Sequence, residues 1–159
     1  MPHPLRALLP LVALAATTLG CDPSPTPTPA PTLEEVRIGR HPGFDRVVLE
    51  LAGDVVPHAE LTVTERPVLE DGSGREVAVA GDVVVLLRID PAFGYDPITW
   101  EPRYLGPRRI AGHGGVVVEV VLVSDFEGAM TWAVGLTGPA HHHLRTATDP
   151  TRIVVDLEV

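Results

Sequence analysis

Residues 116–123 read VVVEVVLV, an aliphatic run in which all but two positions are valine. β-branched side chains pack well on a pleated surface, and a strand covered on both faces has no polar side to show, so this run predicts a central strand. Residues 83–87, VVVLL, read the same way. Outward from these runs the apolar period is two. Val47, Leu49 and Leu51 alternate with Arg46, Val48 and Glu50; Leu61 and Val63 with Thr62 and Thr64; Ile153, Val155 and Leu157 with Arg152, Val154 and Asp156. Each such strand turns one face toward a core. Trp132 alternates with Val134 and Leu136 and is assigned to that core.

Turn chemistry separates the runs at short intervals. Glycine reaches the positive φ that tight hairpins need, so Asp71–Gly74 is predicted to close one hairpin and Gly81 with Asp82 the next, giving a meander. Gly112–Gly115 precede the Val116 run, Asp125–Gly128 turn it into a strand over Met130–Leu136, and Asp149 with Pro150 introduce the last. Pro57, Pro67, Pro91, Pro97, Pro102 and Pro107 fall where loops or sheet edges belong. No segment has a helical period. The expected fold is an all-β antiparallel sandwich or barrel over residues 33–159.

The 159 residues leave room for one domain plus accessory segments, and 45% hydrophobic residues are enough for a packed core. The formal charge is −9, and removing residues 1–20 takes away Arg6 and no acid. Nucleic acid is excluded as an expected partner, because polyphosphate binding needs a basic surface from which counterions are released.

Arg6, the apolar run Ala7–Ala16 broken only by Pro10, and the small residues before Cys21 have the anatomy of a signal peptide over residues 1–20. The run is too short to span a bilayer, which takes about 20 apolar residues. Leu19-Gly20-Cys21 resembles a lipobox, with Thr18 standing where leucine is usual; the alternative is an ordinary cleaved signal followed by a free thiol. Lipidation of Cys21 would anchor the chain to a membrane and place it outside the cytoplasm. Residues 22–32 alternate proline with serine, threonine and alanine, which fixes φ and removes amide donors, so residues 21–32 read as an extended stalk.

Gly43-Phe44-Asp45-Arg46-Val47-Val48, Asp125–Gly128 with Thr131–Gly135, and Asp149–Asp156 together resemble the AMIN-like domain, across essentially all of the chain after the stalk. The resemblance implies a β-sandwich related to domains that direct cell-wall amidases and secretin subunits to the envelope by binding peptidoglycan. The chain ends directly after the final predicted strand, so no amidase catalytic domain is expected.

Several residues invite chemistry. His141, His142 and His143 form the most conspicuous polar cluster, but strand alternation lets only His141 and His143 share a face, and a third ligand would have to come from His113 or a carboxylate. After Gly138 and Pro139 the cluster reads better as the start of a solvated strand, so no metal or other cofactor is expected. Catalytic groupings are scarce: Cys21 is committed to lipid, Ser73 lies in a glycine turn, and Glu119 and Asp125 have no evident cleft. No enzymatic activity is expected. Aromatics are only 4% of the chain, yet Phe93, Tyr95, Trp100 and Tyr104 gather with Arg103, Arg108 and Arg109 in one proline-broken segment. Such rings offer flat faces to sugars and such guanidiniums engage carboxylates, so Tyr95, Trp100, Arg103, Tyr104 and Arg108 are the candidate ligand site. The competing reading is that the rings cover one end of the sandwich. Asp45, Arg46, Arg152 and Asp156 are read as cross-strand ion pairs.

Three functions follow in order of preference. The first is a membrane-anchored, non-catalytic envelope module binding peptidoglycan or a wall-associated protein. The second is an extracytoplasmic small-ligand or metal carrier using His141–His143, and the third a protein-interaction scaffold.

Overall fold

The computed structural model describes residues 30–158, so the signal peptide, Cys21 and the stalk up to residue 29 lie outside the described residues. Nine strands follow: β1 (Thr32–His41), β2 (Phe44–Ala52), β3 (His58–Thr64), β4 (Val83–Asp90), β5 (Arg109–Ala111), β6 (Val117–Phe126), β7 (Ala129–Leu136), β8 (His141–Ala147) and β9 (Thr151–Glu158). They form two antiparallel sheets, β1-β2-β9-β8 and β3-β4-β7-β6-β5, and no described residue is helical. The fold is the expected all-β sandwich.

The core lies between the sheets. Val47, Leu49 and Leu51 of β2 and Ile153, Val155 and Leu157 of β9 meet Val85, Leu87 and Ile89 of β4, Val120 and Leu122 of β6, and Met130, Trp132, Val134 and Leu136 of β7. Trp132 is the largest fully buried side chain. Leu61 packs against this core from β3, whereas Val63 is 63% exposed. The expected alternation therefore holds for only half of β3, an edge strand of its sheet.

The two aliphatic runs are interior strands, as expected, and the reason each is apolar on both sides lies in residues 65–81. This segment is not part of a meander. It folds back over the outer face of the five-stranded sheet as a flap, turned at residues 70–75 and held by a bridge between Leu69 and Glu76. Val68 and Val79 of the flap bury Val84, Val121, Val123 and Ala133 beneath them. The outward side chains of β7 are correspondingly small, Thr131, Ala133 and Gly135, while its inward ones are large. A Cβ on Gly135 would lie 1.8 Å from the Ala80 carbonyl oxygen, so only glycine lets the flap approach this closely.

Polar groups fasten the flap. The buried Glu119 carboxylate accepts from the Ala80 amide at 2.7 Å and pairs with Arg109, whose other nitrogen donates to the Ala78 carbonyl at 2.8 Å. Arg66 donates to the carbonyls of Val79 and Gly81. Burial pushes the Glu119 carboxyl up, but Arg109 and the Ala80 amide outweigh it and leave it below the ordinary value.

Of the four charged residues read as cross-strand pairs, Arg46 and Asp156 are one, directly opposed on β2 and β9 with a bidentate contact at 2.6 and 2.8 Å. Arg152 is not; its Nε donates to the Pro150 carbonyl. Asp45 is also different. It is buried, and its carboxylate accepts from the Val117 amide at 2.8 Å, linking the two sheets where the glycine-rich turn leads into β6. A Cβ on Gly115 would collide with that carboxylate at 2.1 Å, which accounts for a glycine there. A buried carboxylate needs donors, and the start of β6 supplies a backbone one where an arginine was expected.

Candidate functional site: the aromatic loop

Residues 91–108 connect β4 to β5 across one end of the sandwich. The loop base is fixed by backbone: Ala92 donates to the Gly128 carbonyl and Leu33 to the Phe93 carbonyl, both at 2.8 Å, while Phe93 donates to Pro31 at 3.1 Å. Gly94 donates to Asp125 at 3.0 Å, and its carbonyl accepts from Arg103 and Tyr104. Burial raises the Asp125 carboxyl, whose second oxygen has no partner among the described residues. Glu119 and Asp125 thus have separate partners and separate structural tasks.

Asp96 organises the loop tip. Its Oδ1 accepts from the amides of Ile98 and Thr99 at 2.9 and 3.1 Å, capping a single turn that begins with Pro97. Its Oδ2 pairs with Arg103 at 2.9 Å. The Trp100 amide donates to the Asp96 carbonyl, and the turn ends with Trp100 at φ 63°, a left-handed conformation that a bulky residue adopts only when its surroundings impose it. Trp100 is 72% exposed and stacks on Tyr95 with centroids 5.2 Å apart and planes 10° from parallel. Phe93 meets Tyr95 edge-on at 5.6 Å. One face of the indole is therefore backed by a ring and the other is open. Beside it, Ala30, Asp96, Pro97, Ile98 and Arg103 line a depression of about 270 Å³.

The structure brings together Tyr95, Trp100 and Arg103 of the five candidate residues. Tyr104 is half-buried, edge-on to Trp132 at 5.6 Å with its hydroxyl donating to the Pro107 carbonyl, and closes the end of the core. Arg108 belongs elsewhere, to a depression of about 390 Å³ beside the flap that it shares with Glu70, Arg75 and Arg109. Asp96 was missed by sequence reading, although Asp-Pro is a turn-opening signal. His141 and His143 are exposed on β8, opposite Glu158 and Asp156, and His113 is an exposed loop residue. Among the described residues no three histidine, cysteine or carboxylate side chains gather to hold a metal.

The Asp96 carboxyl is drawn down from 3.8 to about 2 by Arg103 and then by the Ile98 and Thr99 amides. A depressed carboxyl favours the ordered form above its ordinary pKa, and that preference disappears as pH falls through the lowered value. The near-UV circular dichroism of the Tyr95–Trp100 stack is expected to persist at neutral pH and fade between 3.8 and about 2. An Asp96→Asn variant is expected to show a weaker signal at neutral pH with no such transition.

A family model for the AMIN-like domain matches residues 31–159. No curated protein and no solved structure matches the chain. AMIN-like domains are linked to peptidoglycan and to the cell envelope. With the sandwich and the family match covering the same residues, the chain belongs to the AMIN-like domain family.

Proposed function

We propose that this protein is a non-catalytic envelope module, exported and tethered through a lipidated Cys21, that holds peptidoglycan on its aromatic loop. Family membership supports the wall as ligand. The single observation that carries the site is Trp100: a large indole in a left-handed backbone conformation, stacked on one side and open on the other. Backbone strain of this kind costs on the order of 1–3 kcal/mol, persists where the surrounding structure over-determines it, and clusters at ligand sites. The open indole suits the apolar face of a sugar ring, and the neighbouring Asp96 and Arg103 supply polar groups for its hydroxyl, amide or carboxylate substituents. The Glu119 carboxylate is committed to Arg109 and Ala80, and Ser73 Oγ donates to Glu70, which supports a binding role over catalysis for these groups.

The test is co-sedimentation of the full chain with purified sacculi. Trp100→Gly is expected to bind about tenfold less, equivalent to about 1.4 kcal/mol, with little change in folding stability, because relief of about 1 kcal/mol of left-handed strain is offset by loss of the Tyr95 stack and by glycine's backbone entropy. Unchanged sedimentation of the folded variant would remove Trp100 from the binding site. Tyr104 is unsuitable for this purpose, since its loss disturbs the Trp132 contact.

A further inference from the structure

The two broad faces of the sandwich are treated differently. The flap covers the outer side of the five-stranded sheet, whereas no described segment is laid over the outer side of β1-β2-β9-β8, whose central residues Val48 and Val154 are buried by the side chains around them. Strand register arranges that open face as a grid. One row runs Arg37, Val48, Val154, Arg145 across all four strands. Arg152 and Arg46 flank the two valines from the adjoining rows, and with Ala147 these six residues enclose a shallow basin of about 360 Å³. Four of the chain's 12 arginines thus stand on one patch of a protein whose formal charge is −9.

The local carboxylates do not use up these guanidiniums. Glu35 and Glu50 both engage Arg37. Asp156 holds Arg46 bidentately and reaches Arg145 only at 3.8 Å. Arg152 donates to a backbone carbonyl and has no carboxylate partner among the described residues. Arg145 and Arg152 therefore keep free donors at the basin rim, and Val48 and Val154 are buried between the arginines. Arg145 on β8 and Arg152 on β9 lie one strand (about 4.8 Å) and two residues (about 6.6 Å) apart, which sets them roughly 8 Å from each other. Guanidinium forks match carboxylates bidentately, and an extended peptide advances about 3.3 Å per residue, so a short peptide whose two carboxylates lie two or three residues apart reaches both arginines.

We propose that the open face of the four-stranded sheet is a second binding site, in which the arginine-rimmed basin takes a short dicarboxylic peptide of the kind that cross-links glycan strands. This rests on the wall-binding reading and extends it from sugar to peptide. The probe is a synthetic alanine-glutamate-alanine-alanine peptide with both carboxyls free, titrated into the full chain by calorimetry, beside the same peptide with both carboxyls amidated and beside inorganic phosphate. The free acid is expected to bind at least about tenfold more tightly than the amidated form and to weaken with added salt. An Arg145→Gln, Arg152→Gln double variant loses only a 3.8 Å ion pair and one backbone hydrogen bond, so it folds, and its affinity for the free acid is expected to drop at least about tenfold. Trp100→Gly is expected to bind the peptide unchanged. Equal affinity for the amidated peptide, an unaffected double variant, or stronger binding of phosphate would each overturn the basin assignment. Sacculus sedimentation without peptide binding sinks the basin alone; peptide binding without sedimentation sinks the wall reading alone.

Discussion

Trp132→Ala is expected to destabilise the domain by about 3–5 kcal/mol, the range for deleting a large buried ring and leaving a cavity. The indole is fully buried among both sheets and lies under Tyr104, so its removal empties the centre of the core and unseats one end of the aromatic loop together. Domains of this size are stable by only about 5–15 kcal/mol, so the urea midpoint should fall by a large fraction. Trp132→Phe gives a sharper result. The indole Nε1 has no hydrogen-bond partner among the described residues, so phenylalanine keeps most of the apolar contact and loses no bond. Its cost is expected to be at most about 1.5 kcal/mol. A phenylalanine variant as damaged as the alanine one would show that Nε1 makes a bond with something else.

Glu119→Ala is expected to cost about 2–4 kcal/mol, because it leaves the Ala80 amide and the Arg109 guanidinium without their shared acceptor. The damage should be local at first: amide hydrogen exchange is expected to accelerate over residues 66–81 while β2 and β9 stay protected. The pH dependence has a definite sign. The folded-state carboxyl of Glu119 sits below its ordinary value of 4.5, so its contribution is present above that value and is lost as pH falls through the lowered one. The alanine variant should therefore approach the parent in stability under acid, and a gap between them that stays constant on acidification would contradict this role.

The strands were legible because burial acts on side chains at period two. Val47, Leu49, Leu51, Ile153, Val155 and Leu157 announce their face, and Trp132 sits in phase with its neighbours. The flap was not legible. Asp71–Gly74 closes a short hairpin as its chemistry predicts, but what lays that hairpin on the sheet is the row of small outward residues on β7, meaningful only once a second layer is known to rest on it. Asp45 misled for a similar reason. The register does place Arg40 opposite Asp45, but Arg40 is exposed and donates to the His113 carbonyl, while the buried carboxylate meets the Val117 amide of the opposite sheet. At the loop, composition picked out the right segment but not the division of labour within it. Tyr104 packs and Trp100 projects because Asp96 closes a turn between Tyr95 and Glu101, a matter of backbone geometry that aromatic content does not encode.

The residues that lead into the first strand are stitched to the foot of the aromatic loop through Pro31, Phe93 and Leu33. Tension applied along the chain from before Ala30, against something gripping Trp100, runs through a few short backbone links at one pole of the molecule. The hydrophobic interior lies off that line of force. Holding fast under a tug then depends on how firmly this small patch is knotted together, and a head of modest overall stability can serve as a durable grip.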